Sequence, residues 1–368
     1  MLGAVLALGS KYTQSNSSGN WQGNELCLTG RIRSFNSEAV VMRKLPVKWG
    51  LSLANRGALF GLTDIDELIE SALFAEQSGV FESVWVGDSL IHKPRLEAIT
   101  LLAALATRTE KVRLGTICMA SFPVRHPVLL AVQWASLDQI SKGRTILGVC
   151  IGGGHEGELR AFGVKRQERV GRMKEGIELL RAVWRDGEVH HRGKYYELDG
   201  YEIIPKPAQK PAPIWIAVSP EREHVGDQIV DQAMRRVGML ADGYITMGVT
   251  AAEFAKRWRV IEQAADQAGR DLSNFECAIH GMVNINDDKQ TAYAQAKDYF
   301  NHYYGPSYPP ESLIKVWLAH GPPKDCACLI QDWIDMGITT PVLRFTSKDQ
   351  LRQVRRFIDD VLPLLRLK

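Results

Sequence analysis

Long apolar runs are missing from this 368-residue chain. Its first residues, MLGAVLALGS, stay apolar for only about eight positions and carry no charged start. That is short for a secretory signal and far below the roughly 20 residues that span a bilayer. An excess of charge is missing too: 45 Lys and Arg stand against 42 Asp and Glu, interspersed, for a net charge of +3. No basic stripe speaks for nucleic acid. Cysteine is scarce, with Cys27, Cys118, Cys150, Cys277, Cys326 and Cys328 scattered along the chain. This usage fits a reduced, cytoplasmic protein better than a disulfide framework. Cys326 and Cys328 have no second cysteine pair or nearby histidine pair to complete a metal site, so ordinary packing is expected of them.

What is present is ordinary globular composition, 45% hydrophobic and 24% charged. Residues 11–41 are rich in Ser, Asn and Gly without hydrophobic period, and Met42 begins MRKLPVKWGLSL like an ordinary start. Residues 1–41 are therefore expected to be a disordered extension, and 42–368 one domain. From residue 47 strand and helix alternate. Strands are predicted at 47–53, 83–87, 112–119, 145–150, 213–218, 243–247, 275–285 and 340–346. A helix capped by Thr63 follows the first strand and ends at Gly79. Others are predicted at 97–106, from Pro127, at 167–185, up to Gly238, and at 250–268, 287–304, 323–336 and 349–364. Residues 187–213 read as a small β-excursion, and 305–322 as an irregular Pro/Tyr-rich segment. Eight strand–helix pairs without a composition break predict an α/β fold, a (β/α)8 TIM barrel with insertions on its C-terminal face. Function is then expected where the strands end.

The stretch from Val112 to Gly163 concentrates the candidates. Gly152, Gly154 and Gly157 spell GxGxxG after a strand. The dinucleotide fingerprint belongs on a first strand that enters a helix directly and is followed by an acidic residue at the end of the next strand. Here Glu175, in that register, falls inside a helix, so the run reads as backbone that comes close to a flat ligand or a phosphate, or as a tight rim turn. Asp88, Ser89 and His92 follow the second strand, where a carboxylate and an imidazole could do acid/base work or cap a loop. Arg125-His126-Pro127 sits on the rim before the third helix, facing an anionic group or a neighbouring loop. His190 and His191 are adjacent in the β-excursion and should point to opposite faces, which disfavours a shared metal.

The segments SVWVGDSL, RTEKVRLGTICM, RHPVLLAVQWASLDQISKGRTILGVCIGG, the AFGV-to-GIELLRAVW run and PKPAQKPAPIWI, in this order, resemble the bacterial luciferase-like family of flavin-dependent oxidoreductases. The likeness runs from about residue 47 to the C-terminus. It implies a flavin ring at the strand C-termini and a non-prolyl cis peptide at Ile117–Cys118, with Met119 completing that segment. It further implies Cys150 beside the ring and Gly152 and Gly153 near the ribityl phosphate. The turn Ser219–Pro220–Glu221 is implied to be where backbone amides at a helix N-terminus meet that phosphate. Many members carry Asp/Glu-His after strand two, whereas this chain has Asp88–Ser89, so His92 would have to substitute or no such base is needed.

The expected activity is a two-component monooxygenase using reduced FMN and dioxygen on a small organic substrate, with a separate flavin reductase. The alternatives are oxygen-independent hydride transfer with the deazaflavin coenzyme F-420, and a non-catalytic flavin-binding barrel. No nucleic acid, membrane or metal partner is expected, and the assembly is expected to be a homo-oligomer such as a homodimer.

Overall fold

In the computed structural model, residues 46–153, 155–219, 226–306 and 308–367 are described. The expected extension at 1–41 lies outside them. Eleven strands are formed among these residues: β1 (Trp49–Ser52), β2 (Phe81–Val86), β3 (Arg113–Thr116), β4 (Thr145–Val149), β5 (Val189–Arg192), β6 (Glu197–Tyr201), β7 (Ile214–Ala217), β8 (Gly243–Thr246), β9 (Glu276–Ile285), β10 (Leu318–Gly321) and β11 (Thr340–Phe345). Eight of them, β1-β2-β3-β4-β7-β8-β9-β11, pair in parallel, and β11 returns to β1 with Gly50 opposite Val342. The sheet closes on itself as a TIM barrel, as the alternation predicted.

The helices are α1 (Ile65–Gln77), α2 (Ala98–Arg108), α3 (Pro127–Ile140), α4 (Glu156–Ala161), α5 (Arg169–Val183), α6 (Asp227–Leu240), α7 (Ala251–Gln267), α8 (Lys289–Tyr304), α9 (Glu311–Trp317), α10 (Pro323–Asp335) and α11 (Gln350–Arg356). Most cover the barrel, burying faces such as Leu68, Ala72 and Ala75 of α1. The cap of α1 is Asp64, which accepts from the Glu67 amide at 2.8 Å, while Thr63 bonds the Glu67 carboxylate. Thr63 was expected in that role, but only the residue with extended backbone directly before the first turn can reach the N3 amide.

Two layers of side chains fill the interior. Inside the strands, Trp85, Ile117, Ile146, Trp215, Ile245, Ala278 and Val342 form a plug. Gly115 makes room for it, since a Cβ there would lie 2.4 Å from the Trp85 ring. At the N-terminal end, Glu276 of β9 crosses to β3. Arg113 donates to both its carboxylate oxygens at 2.8 and 2.9 Å, Lys48 at 3.2 Å and Thr340 at 3.0 Å.

The β-excursion is an antiparallel hairpin, β5–β6. His190 bonds Asp199 at 2.7 Å and His191 meets Glu175 at 3.4 Å, so the two rings do take opposite faces. The segment at 305–322 departs from its irregular reading. It holds α9 and β10, and β10 pairs with the C-terminal end of β9. Cysteines 118, 150, 277 and 326 are free thiols. Cys328 is disulfide-bonded, so the expectation of simple packing fails for it.

Candidate active site

Strand alternation places the site. Ala278 belongs to the interior plug, and two residues further along β9 the same face carries His280, one layer nearer the barrel mouth. Above the plug the strand ends enclose a cavity of about 390 Å³, within the range of small-molecule sites. Ile117 and Cys118 after β3, Cys150 to Gly152 after β4, Ala217 to Ser219 after β7, Thr246 and Met247 at β8, and His280 line it. Met173, Ile229, Ala233 and Arg236 close it from α5 and α6.

The floor follows the expectation. The Ile117–Cys118 peptide is cis. The Cys118 and Cys150 thiols share a hydrogen bond that, ahead of burial, pushes Cys118 well up and holds Cys150 below its ordinary value. Gly152 has a φ of +70°, and a Cβ there would lie 2.4 Å from the Ala120 carbonyl. Only glycine fits both demands. Arg169 fixes this turn by donating to the carbonyls of Ile151 and Gly152 at 3.2 and 2.7 Å. The Ser219 hydroxyl accepts from the Met247 amide at 2.7 Å and ties the ends of β7 and β8 together. Gly153 does not line this cavity but a smaller cleft, together with His155 and Arg169. Met119 is fully buried in the outer core and does not line the cavity. Pro220, Glu221 and Gly154 lie outside the described residues.

The three acid/base candidates stand apart from this cavity. Asp88 is buried, and its two oxygens accept from the Ser121 amide at 2.8 Å and from Arg125 at 3.1 Å. Arg125 also binds Glu97 at 2.8 Å and Ser121 Oγ at 2.7 Å. The rim arginine thus ties neighbouring loops together. Ser89 Oγ accepts from the Lys93 amide at 3.2 Å. His92 is exposed and stacked on His155, ring centroids 3.9 Å apart, and burial followed by the His155 charge lowers its pKa.

Two basic lining residues, Arg236 and His280, were not singled out from sequence. Arg236 is half-buried, and burial lowers its pKa. No carboxylate among the described residues forms an ion pair with it. His280 is buried at 8% exposure, and among the described residues its Nε2 has no hydrogen-bond partner and none bonds its Nδ1. Burial, then the charges of Arg344 and Arg95, hold its pKa well below the ordinary imidazole value. The basic pair Arg235-Arg236 inside a helix was the only sequence hint of the first. A lone histidine in an otherwise apolar strand was the hint of the second.

The family model for luciferase-like monooxygenases matches residues 47–340. The F420-dependent glucose-6-phosphate dehydrogenase of Amycolatopsis mediterranei is 27% identical over 335 residues, covering 82% of this chain and 94% of the relative. Among solved structures, an F420-dependent secondary alcohol dehydrogenase in complex with an F420-acetone adduct superposes with a TM-score of 0.71 at 20% identity, over 88% of this chain and all of the other. Monooxygenase RslO1 from Streptomyces bottropensis gives 0.72 at 22% identity, over 86% and 99%. These two structural likenesses concern the fold. The chain belongs to the luciferase-like monooxygenase family and is an oxidoreductase.

Proposed function

We propose that this luciferase-like enzyme interconverts a small organic alcohol and its carbonyl by oxygen-independent hydride transfer, with the deazaflavin coenzyme F420 in the mouth cavity. The observation that carries the proposal is the near full-length match to an F420-dependent dehydrogenase. The expected FMN monooxygenase with its separate reductase becomes the second reading, favoured by the family's description.

The residues present fit such a group. A flat tricycle needs apolar walls and a surface without side chains. Ile117, Ile216 and Ile245 provide the walls, and the Gly152 turn provides the surface. A phosphate-bearing tail needs a cation, and Arg236 offers a half-buried guanidinium without a carboxylate partner among the described residues. When bound, the deazaflavin accepts or returns a hydride. The chain's part is to hold and to dry the site. Arg169 fixes the turn against which the ring would lie, while Met173 and Ile229 close the side that faces α5 and α6.

Titration of the full chain with F420 and with FMN, followed by anaerobic turnover over a panel of small alcohols and sugar phosphates, tests the reading. Tighter binding of F420 and substrate-dependent loss of its absorbance without oxygen are expected. Preference for FMN, with turnover that requires dioxygen and reduced flavin, would overturn it in favour of the monooxygenase.

A further inference from the structure

Resting on that reading, we propose that His280 is the residue that takes the substrate's hydroxyl proton during alcohol oxidation and returns it in the reverse direction. Chemistry of this kind needs a proton acceptor within reach of the reacting oxygen. The place after strand two offers Ser89, which cannot take up a proton near neutrality, and the Asp88 carboxylate beside it is already occupied by Ser121 and Arg125. His92 is stacked on His155 outside the cavity lining.

His280 enters the same cavity from the opposite part of the wall. Buried imidazoles are normally hydrogen-bonded, and one without a partner needs an explanation. Its backbone is fixed, since its carbonyl accepts from Trp317 Nε1 at 2.7 Å and the Trp317 ring packs edge-on at 6.1 Å. The ring nitrogens are what remains without a partner among the described residues. The charged groups that act on it, Arg344 from β11 and Arg95 from the loop after β2, are both cationic. Arg344 is itself buried, donating to Ser52 Oγ and the Leu53 carbonyl, with its guanidinium 4.9 Å from the Tyr303 ring. Burial first, and these cations after it, keep the resting imidazole neutral and therefore able to accept.

The step balances. With oxidised deazaflavin bound, the substrate C–H bond would break and that group would take its electron pair as hydride. The O–H bond breaks and its proton passes to an imidazole nitrogen of His280, and the C=O bond forms.

The experiment uses the full chain. In histidine-labelled protein the His280 ring signal, assigned by its loss in His280→Gln, should stay at the neutral position from pH 6 to 8. It should shift when F420 is added, while the signals of exposed His190 and His302 stay in place. His280→Gln should bind F420 within about threefold of wild type and lose kcat by about 100-fold or more. Added imidazole should restore part of the turnover of His280→Ala, a response that a purely structural role would not give. F420 binding that leaves the His280 signal unmoved overturns the assignment alone, as does wild-type kcat in His280→Gln. Failure of wild type to bind F420 overturns the cofactor reading and the assignment with it.

Discussion

The paired thiols in the cavity floor differ in reactivity because of where each proton sits. Cys150 is held below its ordinary value by the bond to Cys118, while Cys118 and the buried Cys277 are pushed up. The thiolate is the nucleophile, so iodoacetamide should modify Cys150 before Cys118, as read by peptide mass. F420 should slow that labelling severalfold, and equal rates at the two thiols would contradict the polarity. At this scale the sequence was informative where a residue follows a strand directly. Cys118, Cys150 and Gly152 were legible as site residues for that reason. His280 was not, because every residue of β9 after Glu276 is buried. A strand buried on both faces does not alternate, so nothing in FECAIHGMVNI tells the inward side from the outward one. Arg236 was hidden differently: only the approach of α6 to the barrel end turns a basic helix residue toward the cavity.

Among the elements, the hairpin β5–β6 is secured by one carboxylate. Glu175 of α5 accepts from the amides of Lys194, Tyr195 and Tyr196, the last at 2.7 Å. Burial alone would raise its pKa, but these donors and His191 lower it. Glu175→Ala leaves the amides of the hairpin turn without their acceptor. The expected loss is about 1–3 kcal/mol, together with faster limited proteolysis between residues 187 and 206. Unchanged cleavage there would show that the hairpin is held by other contacts. The hairpin itself was readable as a small β-excursion, since the regular alternation breaks at Gly187 and a Pro-rich turn ends the segment. The segment from 305 to 322 was not. Gly305, Pro306, Pro309 and Pro310 punctuate it as a loop, and among the described residues the four-residue β10 pairs only with the far end of β9. Such a strand is specified by tertiary pairing more than by its own composition.

At the scale of the molecule, the eight-strand count was legible because each parallel strand is a short apolar run followed by a helix. Closure shows in the Glu276 cluster, which joins β3 to β9 across the N-terminal mouth, with Lys48 just before β1 and Thr340 of β11 joining it. Burial raises the Glu276 pKa, but Arg113 and Lys48 outweigh it and the net shift is downward. A lowered folded-state value means that the contribution is complete above about pH 4.5, the ordinary glutamate range, and is lost as pH falls through the folded value. Glu276→Gln should therefore cost about 2 kcal/mol at pH 7, between the figures for exposed and buried pairs. That corresponds to about 3 °C in Tm. The gap from wild type should shrink at pH 4, and a pH-independent gap would assign the loss to packing.

The Glu276 cluster and the cavity occupy opposite ends of one set of strands. Mutational tolerance is divided the same way. Loops at the mouth can exchange side chains, and so admit new substrates, without drawing on the ion pairs that keep the barrel shut. A library confined to the cavity rim should accordingly yield altered specificity at nearly constant expression. Changes at Arg113, Glu276 or Lys48 would reduce the amount of folded protein whatever substrate it serves.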